Sequence, residues 1–588
     1  MKKLFSFLTV ASSFALSVFS QTIDLGRIVT IVDSPEKVEK TFTSEEIKNS
    51  AVSSLPELLR QKGLLVMSSG GSGTASNFSY KGYSGFCCKV YVDGVLATQP
   101  SSGEFDWNSI DINSIESITI SEIPDTSTDQ FAGCVVYITT RLVSARGFDF
   151  KTLVTSYGTS FADTITAFAE YRDVIGNTGF KINAQANKAD NEYLDSKGKI
   201  LRNNWSRLGN LSASFNTIVS DNLTVSGTSK FFYNQLKAFG TGSDRNVGIE
   251  DDFNSFQTVK ARLVTQKLAV LTANLTAQYN QIDYDQTATQ HDKTQMHTTD
   301  LLLTAENFYG FNVSSVFSLE NKISGSSQQR FHNTSKIDWS WSAGDWVKII
   351  PSMGVLASTN KDFELLPQFT VSSKKTGLSV SAFRQFVLPT FNQLYWEGGG
   401  GKGNPDLKPE EGWAVVSGWK SPFTFLPLSL TYTYAKYGNK IRWVYNGKTL
   451  TPVNTVSADY RTFEAVIAKD FKYAGLNAGV TNTKAQLDGG YQIMWVPQWQ
   501  CNAGVTVHLP LKIDIGANYI YTEKRPEDNF NLYWYDEMND LQLIIKWQAT
   551  TRSTFMFEVK NLLDERHYYH DRYPMPGRSF TAGYMFRG

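Results

Sequence analysis

The sequence predicts a transmembrane β-barrel of 22 antiparallel strands over residues 142–588, behind a small α+β module over residues 41–141. Three observations carry this. From about Gly147 the chain alternates apolar and polar residues in runs of about 9–12, the length a tilted strand needs to cross a bilayer. The connections between those runs are short and long by turns. The first twenty residues form a secretory leader, and no later stretch approaches the ~20 apolar residues of a spanning helix. A chain that leaves the cytoplasm without a helical span is a soluble exported protein or a barrel. Run length selects the barrel, because sandwich strands are about 5–6 residues long.

In the leader, Lys2 and Lys3 give the charged start and an apolar run begins at Leu4. Val18 and Ser20 are small enough to flank cleavage near Ser20–Gln21. Residues 21–40 make an arm too short to be a domain. It contains Ile28-Val29-Thr30-Ile31-Val32, apolar, β-branched and free of proline. Such a run is either a stray strand of the next module or an extended segment that pairs edge-to-edge with a partner's strand.

The module opens with a helix: Thr43 and Ser44 cap it, Glu45 and Glu46 suit its first turn, and Leu55, Leu58 and Leu59 follow at helical spacing until Gly63 stops the run. Ser68 to Asn77 is nearly all Gly, Ser, Thr and Ala. Three β-prone runs follow, Cys88–Val92, Ile115–Ile120 and Val135–Thr140, with Asp93-Gly94 as a tight-turn signal after the first. Cys87 and Cys88 are adjacent and point to opposite faces of a strand, so at most one meets Cys134. A disulfide and buried free thiols both fit an exported chain.

The barrel strands alternate cleanly. Phe180, Ile182, Ala184 and Ala186 interleave with Lys181, Asn183, Gln185 and Asn187, and Leu271, Leu275 and Tyr279 with Thr272, Asn274 and Gln278. Short turns fall near Gly176, Ser220, Gln266, Gly310, Gly344, Lys374, Phe423, Tyr473, Pro510 and Thr551. Those turns, with a first and a last strand added, give the count of 22. Short turns belong on the periplasmic side and long loops outside.

Several segments together resemble the TonB-dependent outer-membrane receptor family. They are Tyr80-Lys81-Gly82, Val90 through Val95, Ile115-Glu116-Ser117-Ile118 and Gly133 through Arg141 in the module. In the barrel they are the block Arg384–Glu411, built on Pro389-Thr390-Phe391 and Asn404-Pro405-Asp406-Leu407-Lys408-Pro409-Glu410, and the closing stretch from Asn561 to Phe586. The sequence departs from the family at Ile123-Pro124 and Gln130-Phe131, and Arg587 and Gly588 follow the usual aromatic end. The resemblance implies that the module is a plug inside the barrel; plugged 22-stranded outer-membrane transporters are a known class, with which the count agrees. It implies a bacterial outer-membrane location and a TonB box at Ile28–Val32. It further implies active import powered by the TonB–ExbB–ExbD complex. The ligand would be a ferric siderophore or cobalamin, bound between the plug apex and the outer loops. Ser72, Ser76, Asn77, Gln99, Ser101 and Ser102 are the candidate contacts.

Other readings are weighed against these residues. With 56 basic and 56 acidic side chains the chain has no basic excess for nucleic acid. It has no G-x-S-x-G, HExxH or clustered Ser/His/Asp set, so an enzyme is not expected. A non-transporting binding protein or adhesin is the alternative. The short arm argues against the signal-transducing branch of the family, which adds a domain before the plug. No cofactor is required, but Asp190, Glu192 and Asp195 in one outer loop and Asp244, Glu250, Asp251 and Asp252 in the next are hard oxygen ligands of the kind that suit Ca²⁺. An ordinary solvated acidic loop is the favoured reading of these residues. His291 and His297 are placed in a further loop.

Overall fold

The computed structural model describes residues 40–588 except 50, 51, 53, 126–132, 144, 196–197, 202–203, 238–247, 267–268, 288–289, 324–326, 360, 399–400, 424, 456 and 569–573. The leader, the Ile28–Val32 run, Gln130-Phe131 and Asp244 lie outside the described residues.

The module is built on a five-stranded sheet ordered Lys40–Thr43, Ile115–Ser121, Cys134–Thr140, Cys88–Val92, Val95–Leu96. The three runs marked by β-branched residues are thus consecutive neighbours, and Cys88–Val92 lies parallel to Cys134–Thr140. Asp93 and Gly94 both take positive φ (54° and 86°), the pairing a tight primed turn needs. The Asp93 carboxylate then accepts the Thr140 amide at 2.7 Å and its hydroxyl at 2.9 Å, tying the turn to the end of the neighbouring strand.

The helical segment is two helices rather than one, Ser44–Asn49 and Leu55–Gln61. Pro56 is the reason: with no N–H and a fixed φ it suits the first turn of a helix and cannot sit inside one. Leu55, Leu58 and Leu59 are fully buried, and Gly63 ends the run at φ 77°.

Around the module a closed antiparallel sheet runs from Gly147–Ser156 to Ser579–Arg587, and these two strands pair to shut it. It has 22 strands when Gln328–Trp339 and Trp341–Ala343, which both pair with Val347–Ser358, are taken as one interrupted strand. All ten expected short turns lie between consecutive strands and mark one end of the barrel. Ile182, Leu211, Leu275 and Leu303 face outward and stay exposed, while Asn183, Gln185, Asn274 and Thr276 on the opposite face are buried. Arg587 and Gly588 extend the last strand: Gly588 exchanges both backbone hydrogen bonds with Phe148, at 2.9 and 2.7 Å.

Two outer-loop expectations are corrected. Glu250, Asp251 and Asp252 lie on the strand Ile249–Val264, and His291 and His297 on the strand Gln290–Phe308. Polar residues alone do not end a strand. Here the ladder between Val270–Thr287 and its two neighbours continues through them.

Candidate functional site: the plug apex and the plug seat

The two loops that carry the candidate contacts, Ser68–Asn77 and Ala97–Gly103, reach the long-loop end of the barrel, but Ser72 and Ser101 clamp the plug to the wall. Ser72 and Asn191 exchange two hydrogen bonds of 2.9 Å, from the Ser72 amide to Asn191 Oδ1 and from Asn191 Nδ2 to the Ser72 carbonyl. Gly71 and Gly73 permit this approach, since a Cβ there would lie 2.2 Å from Asn191 Oδ1 and 2.0 Å from Ser206 Oγ. Gln99 and Ser101 are buried. The carbonyls of Pro100 and Ser101 accept from the amides of Phe391 and Asn392 at 3.1 and 2.9 Å. Those amides open the short helix Phe391–Tyr395, whose Thr390–Gln393 capping box fixes its start.

Ser76, Asn77 and Ser102 remain half-buried, and beside them Ala75 and Glu104 are exposed. Asn77 Nδ2 donates to Glu104 Oε1 at 2.8 Å. Sequence reasoning misses Glu104 because it lies one residue beyond the Ala97–Gly103 loop; the acidic step after Gly103 is the available signal. The apex open to solvent is therefore Ala75–Asn77 with Ser102 and Glu104.

The acidic residues divide between the two faces of the wall. Asp190 is held by Lys188 at 2.9 Å and Arg207 at 2.7 Å, and Asp195 Oδ1 accepts the Lys199 amide in its own turn. Asp251 accepts from Tyr233 and from Gln235 Nε2, on the side opposite Glu250 and Asp252. Glu250 and Asp252 lie near each other and near Asp106 of the plug. Among the described residues no three acidic, histidine or cysteine side chains converge as a metal set.

The plug is seated by buried charge. Lys81, in the Tyr80-Lys81-Gly82 step, pairs with Glu122 of the plug and with Glu464 of the barrel, the latter at 3.1 Å. Glu464 also takes Lys40 at 2.6 Å, and Thr433 of the wall donates to Glu122 at 2.6 Å. Lys81, Glu122 and Glu464 are each under a tenth exposed. Burial works against the Lys81 ammonium, but Glu122 and Glu464 outweigh it and hold its pKa well above the ordinary value. Next to it Tyr83 stacks on Tyr460 with centroids 4.9 Å apart. Gly82, at φ 87°, passes so near that ring that a Cβ would lie 3.2 Å from it. Sequence marks Lys81 but not its partners.

The described cysteines are all free. Cys88 and Cys134 are register partners, and burial pushes the Cys134 thiol well up. Cys87 reaches outward from the sheet to Glu410 and Lys440, at 3.5 and 3.3 Å, and burial first of all raises its thiol to about 12.

A closed barrel with a folded module seated in its lumen by paired charges is a plugged outer-membrane receptor. The chain belongs to the TonB-dependent receptor family: the model of the TonB-dependent receptor plug domain matches residues 30–130, and that of the TonB-dependent receptor-like β-barrel matches residues 101–562. The family resides in the outer membrane of Gram-negative bacteria and consists of receptors and transporters. Among solved structures, the siderophore receptor PirA from Acinetobacter baumannii superposes with a TM-score of 0.79 at 14% identity, over 94% of this chain and 98% of that one. The FrpB iron transporter from Neisseria meningitidis gives 0.79 at 12% identity, over 94% and 100%. The copper transporter OprC gives 0.78 at 12%, over 94% and 100%. In sequence, the vitamin B12 transporter BtuB of Photobacterium profundum is 24% identical over 238 residues, which is 39% of this chain and 38% of that protein's length.

Proposed function

We propose that the protein imports a scarce nutrient too large for an open pore, a ferric siderophore or cobalamin, across the outer membrane. The observation that carries this reading is the occupied lumen. A lumen filled by a folded plug passes no large solute passively, so uptake needs a ligand bound outside and work done on the plug from inside. The ligand would sit on the solvent-facing apex, against Ser76, Asn77, Ser102 and Glu104. The work would come from the TonB–ExbB–ExbD complex, paired with Ile28–Val32 of the arm. Lys40, the first described residue after the arm, already holds Glu464 of the seat, so a pull on the arm reaches the seat directly. Calcium at Glu250 and Asp252 belongs to the cobalamin form of the proposal.

Uptake of radiolabelled cyanocobalamin and of ferric enterobactin, by cells carrying the full chain or a chain lacking residues 28–32, tests the reading. Uptake of either that is lost with the deletion supports import. Binding that survives without arm-dependent uptake of either overturns it in favour of a non-transporting receptor. Binding of cyanocobalamin by the purified protein with and without Ca²⁺ decides between the two ligand classes.

A further inference from the structure

On the outward face of the barrel, charge is arranged differently in two sectors of the long-loop end. In one, cations are matched by carboxylates. Lys188 and Arg207 hold Asp190 at 2.9 and 2.7 Å, and Lys293 stands opposite Asp283 in the ladder and pairs with it at 3.5 Å. In the other, formed by Leu428–Gly438, Ala458–Asp470 and Ala474–Leu487, two cations face each other. Arg461 and Lys484 are direct cross-strand partners, and both are exposed. Arg461 also stands opposite Tyr434, over whose ring it lies at 5.9 Å, so the exposed Lys436 is its diagonal neighbour. Among the described residues no ion pair joins Lys436, Arg461 or Lys484 to a carboxylate. Asp459 stands opposite Lys436, one acid against three cations.

Like charges directly opposite on paired strands are destabilising, and an anion lying between them removes that cost. The height of the three cations says where the anion comes from. One step toward the bilayer from the Tyr434–Arg461 pair is the pair Tyr432–Phe463, 48% and 42% exposed. The cations therefore stand where apolar surface gives way to lipid headgroups.

Beside them the wall carries a groove of about 580 Å³, lined by Leu365, Pro367, Gly412, Trp413, Gly438 and Lys436 itself. It lies at a parting of two strands: the ladder between Lys361–Ser373 and Leu378–Val387 stops at Gln368 and Phe383. Arg384 bridges the parting, donating to the Leu365 carbonyl at 2.9 Å and pairing with Glu364 and Glu411 at 3.0 and 2.7 Å. Its charge is thus used within the wall. Leu365 and Trp413 stay exposed and give the groove apolar sides.

We propose that this sector binds a phosphate-bearing lipid of the outer leaflet. The phosphate lies across Lys436, Arg461 and Lys484, and an apolar part of the lipid lies against Trp413 in the groove. Arg461 offers a planar fork to two phosphate oxygens, and the lysines act as point charges beside it. A free anion would use the cations but not the apolar groove, and an uncharged lipid would use only the groove.

The full chain in non-ionic detergent is titrated with dioleoylphosphatidic acid, and bound lipids are counted by native mass spectrometry. Dioleoylphosphatidylcholine and inorganic phosphate are titrated in parallel. The parent is expected to retain one phosphatidic acid in preference to phosphatidylcholine. The variant Lys436→Gln, Arg461→Gln, Lys484→Gln is expected to bind it about 100-fold more weakly, each cation near an anionic lipid contributing about fivefold. Lys188→Gln, Arg207→Gln, Lys293→Gln removes the same charge from the matched sector and is expected to bind as the parent does. Heat-modifiable mobility on gels confirms that each barrel is folded. Should the first triple variant not fold, the exposed Arg461→Gln alone is expected to weaken binding about fivefold. Equal weakening in both triple variants, or an unchanged affinity in the first, overturns the proposal. So does a parent that binds phosphatidylcholine as well. Displacement of the lipid by inorganic phosphate at equal concentration also overturns it, leaving an anion site only.

Discussion

Two neighbouring parts of the plug's boundary are built on opposite principles, and both touch the strand Ala458–Asp470. At Glu464 the contact is charged and buried: Lys81 pairs with Glu122 and Glu464, Lys40 pairs with Glu464, and Tyr83 stacks on Tyr460. Two and four residues further toward the short-turn end, Val466 and Ala468 line a cavity between plug and wall. There Asn518 of the wall donates a single hydrogen bond to the Gln61 carbonyl, and the plug's own Lys62–Glu46 pair beside it is half-exposed. Removing one partner of a buried ion cluster strands a charge and costs about 3–5 kcal/mol, whereas an exposed pair contributes about 0–1 kcal/mol. The plug is thus fixed hard at one place and loosely at the next. On the import reading proposed above, that division suits a body that stays shut at rest and yields to a directed pull.

The comparison can be broken at the seat first. Lys81→Met leaves Glu122 without its cation and Glu464 with Lys40 alone, and is expected to destabilise plug seating by about 3–5 kcal/mol. Labelling of the fully buried Cys134 thiol measures this, because the thiol reacts only when the plug opens. Lys81→Arg is expected to recover most of the protection.

Next in size is a pH effect within the plug. Burial, against the lowering influence of the Asn113 hydrogen bonds, raises the Asp111 carboxyl to about 6. An unfolded Asp titrates near ~3.9, so between those values the native plug keeps a proton that the unfolded chain gives up. The stabilisation is complete below about pH 4 and declines as pH rises to about 6, by up to ~3 kcal/mol. Asp111→Asn retains the cap on Asn113 and is expected to flatten the dependence of Cys134 labelling on pH across that window. An unchanged slope would assign the dependence to other groups.

Gly82→Ala is expected to cost about 1–3 kcal/mol, since φ 87° suits glycine and the new methyl would press on Tyr460 and Ala485 at 3.2 Å. The smallest effect belongs to the loose side. Lys62→Ala should change plug protection by no more than about 1 kcal/mol. A loss as large as that of Lys81→Met would erase the distinction between the two contacts.

Much of this architecture is legible in the chain. Each of the ten short turns stands where alternation breaks at Gly, Pro or a polar pair, and the three β-prone runs of the plug are neighbours in its sheet. The misreadings share a cause. Polarity alone puts Glu250–Asp252 and His291–His297 in loops, yet neighbouring strands carry the ladder through them. A small, polar loop likewise puts Gln99 and Ser101 in front of a ligand. The amides of a helix some 290 residues further on cover that loop instead.

What the sequence by itself determined is whatever a strand or turn decides locally. A side-chain period of two assigns inward and outward faces, and turn residues end the runs, so strand number and barrel class follow from short stretches. Only the tertiary structure decided which inward groups meet. Lys40 and Glu464 are 424 residues apart and Gln61 and Asn518 are 457 apart. Whether such groups stand at the same height depends on the stagger accumulated around the closed barrel and on the plug's orientation within it. The seat and the plug–wall contacts beside it are products of that closure, and no local pattern encodes them.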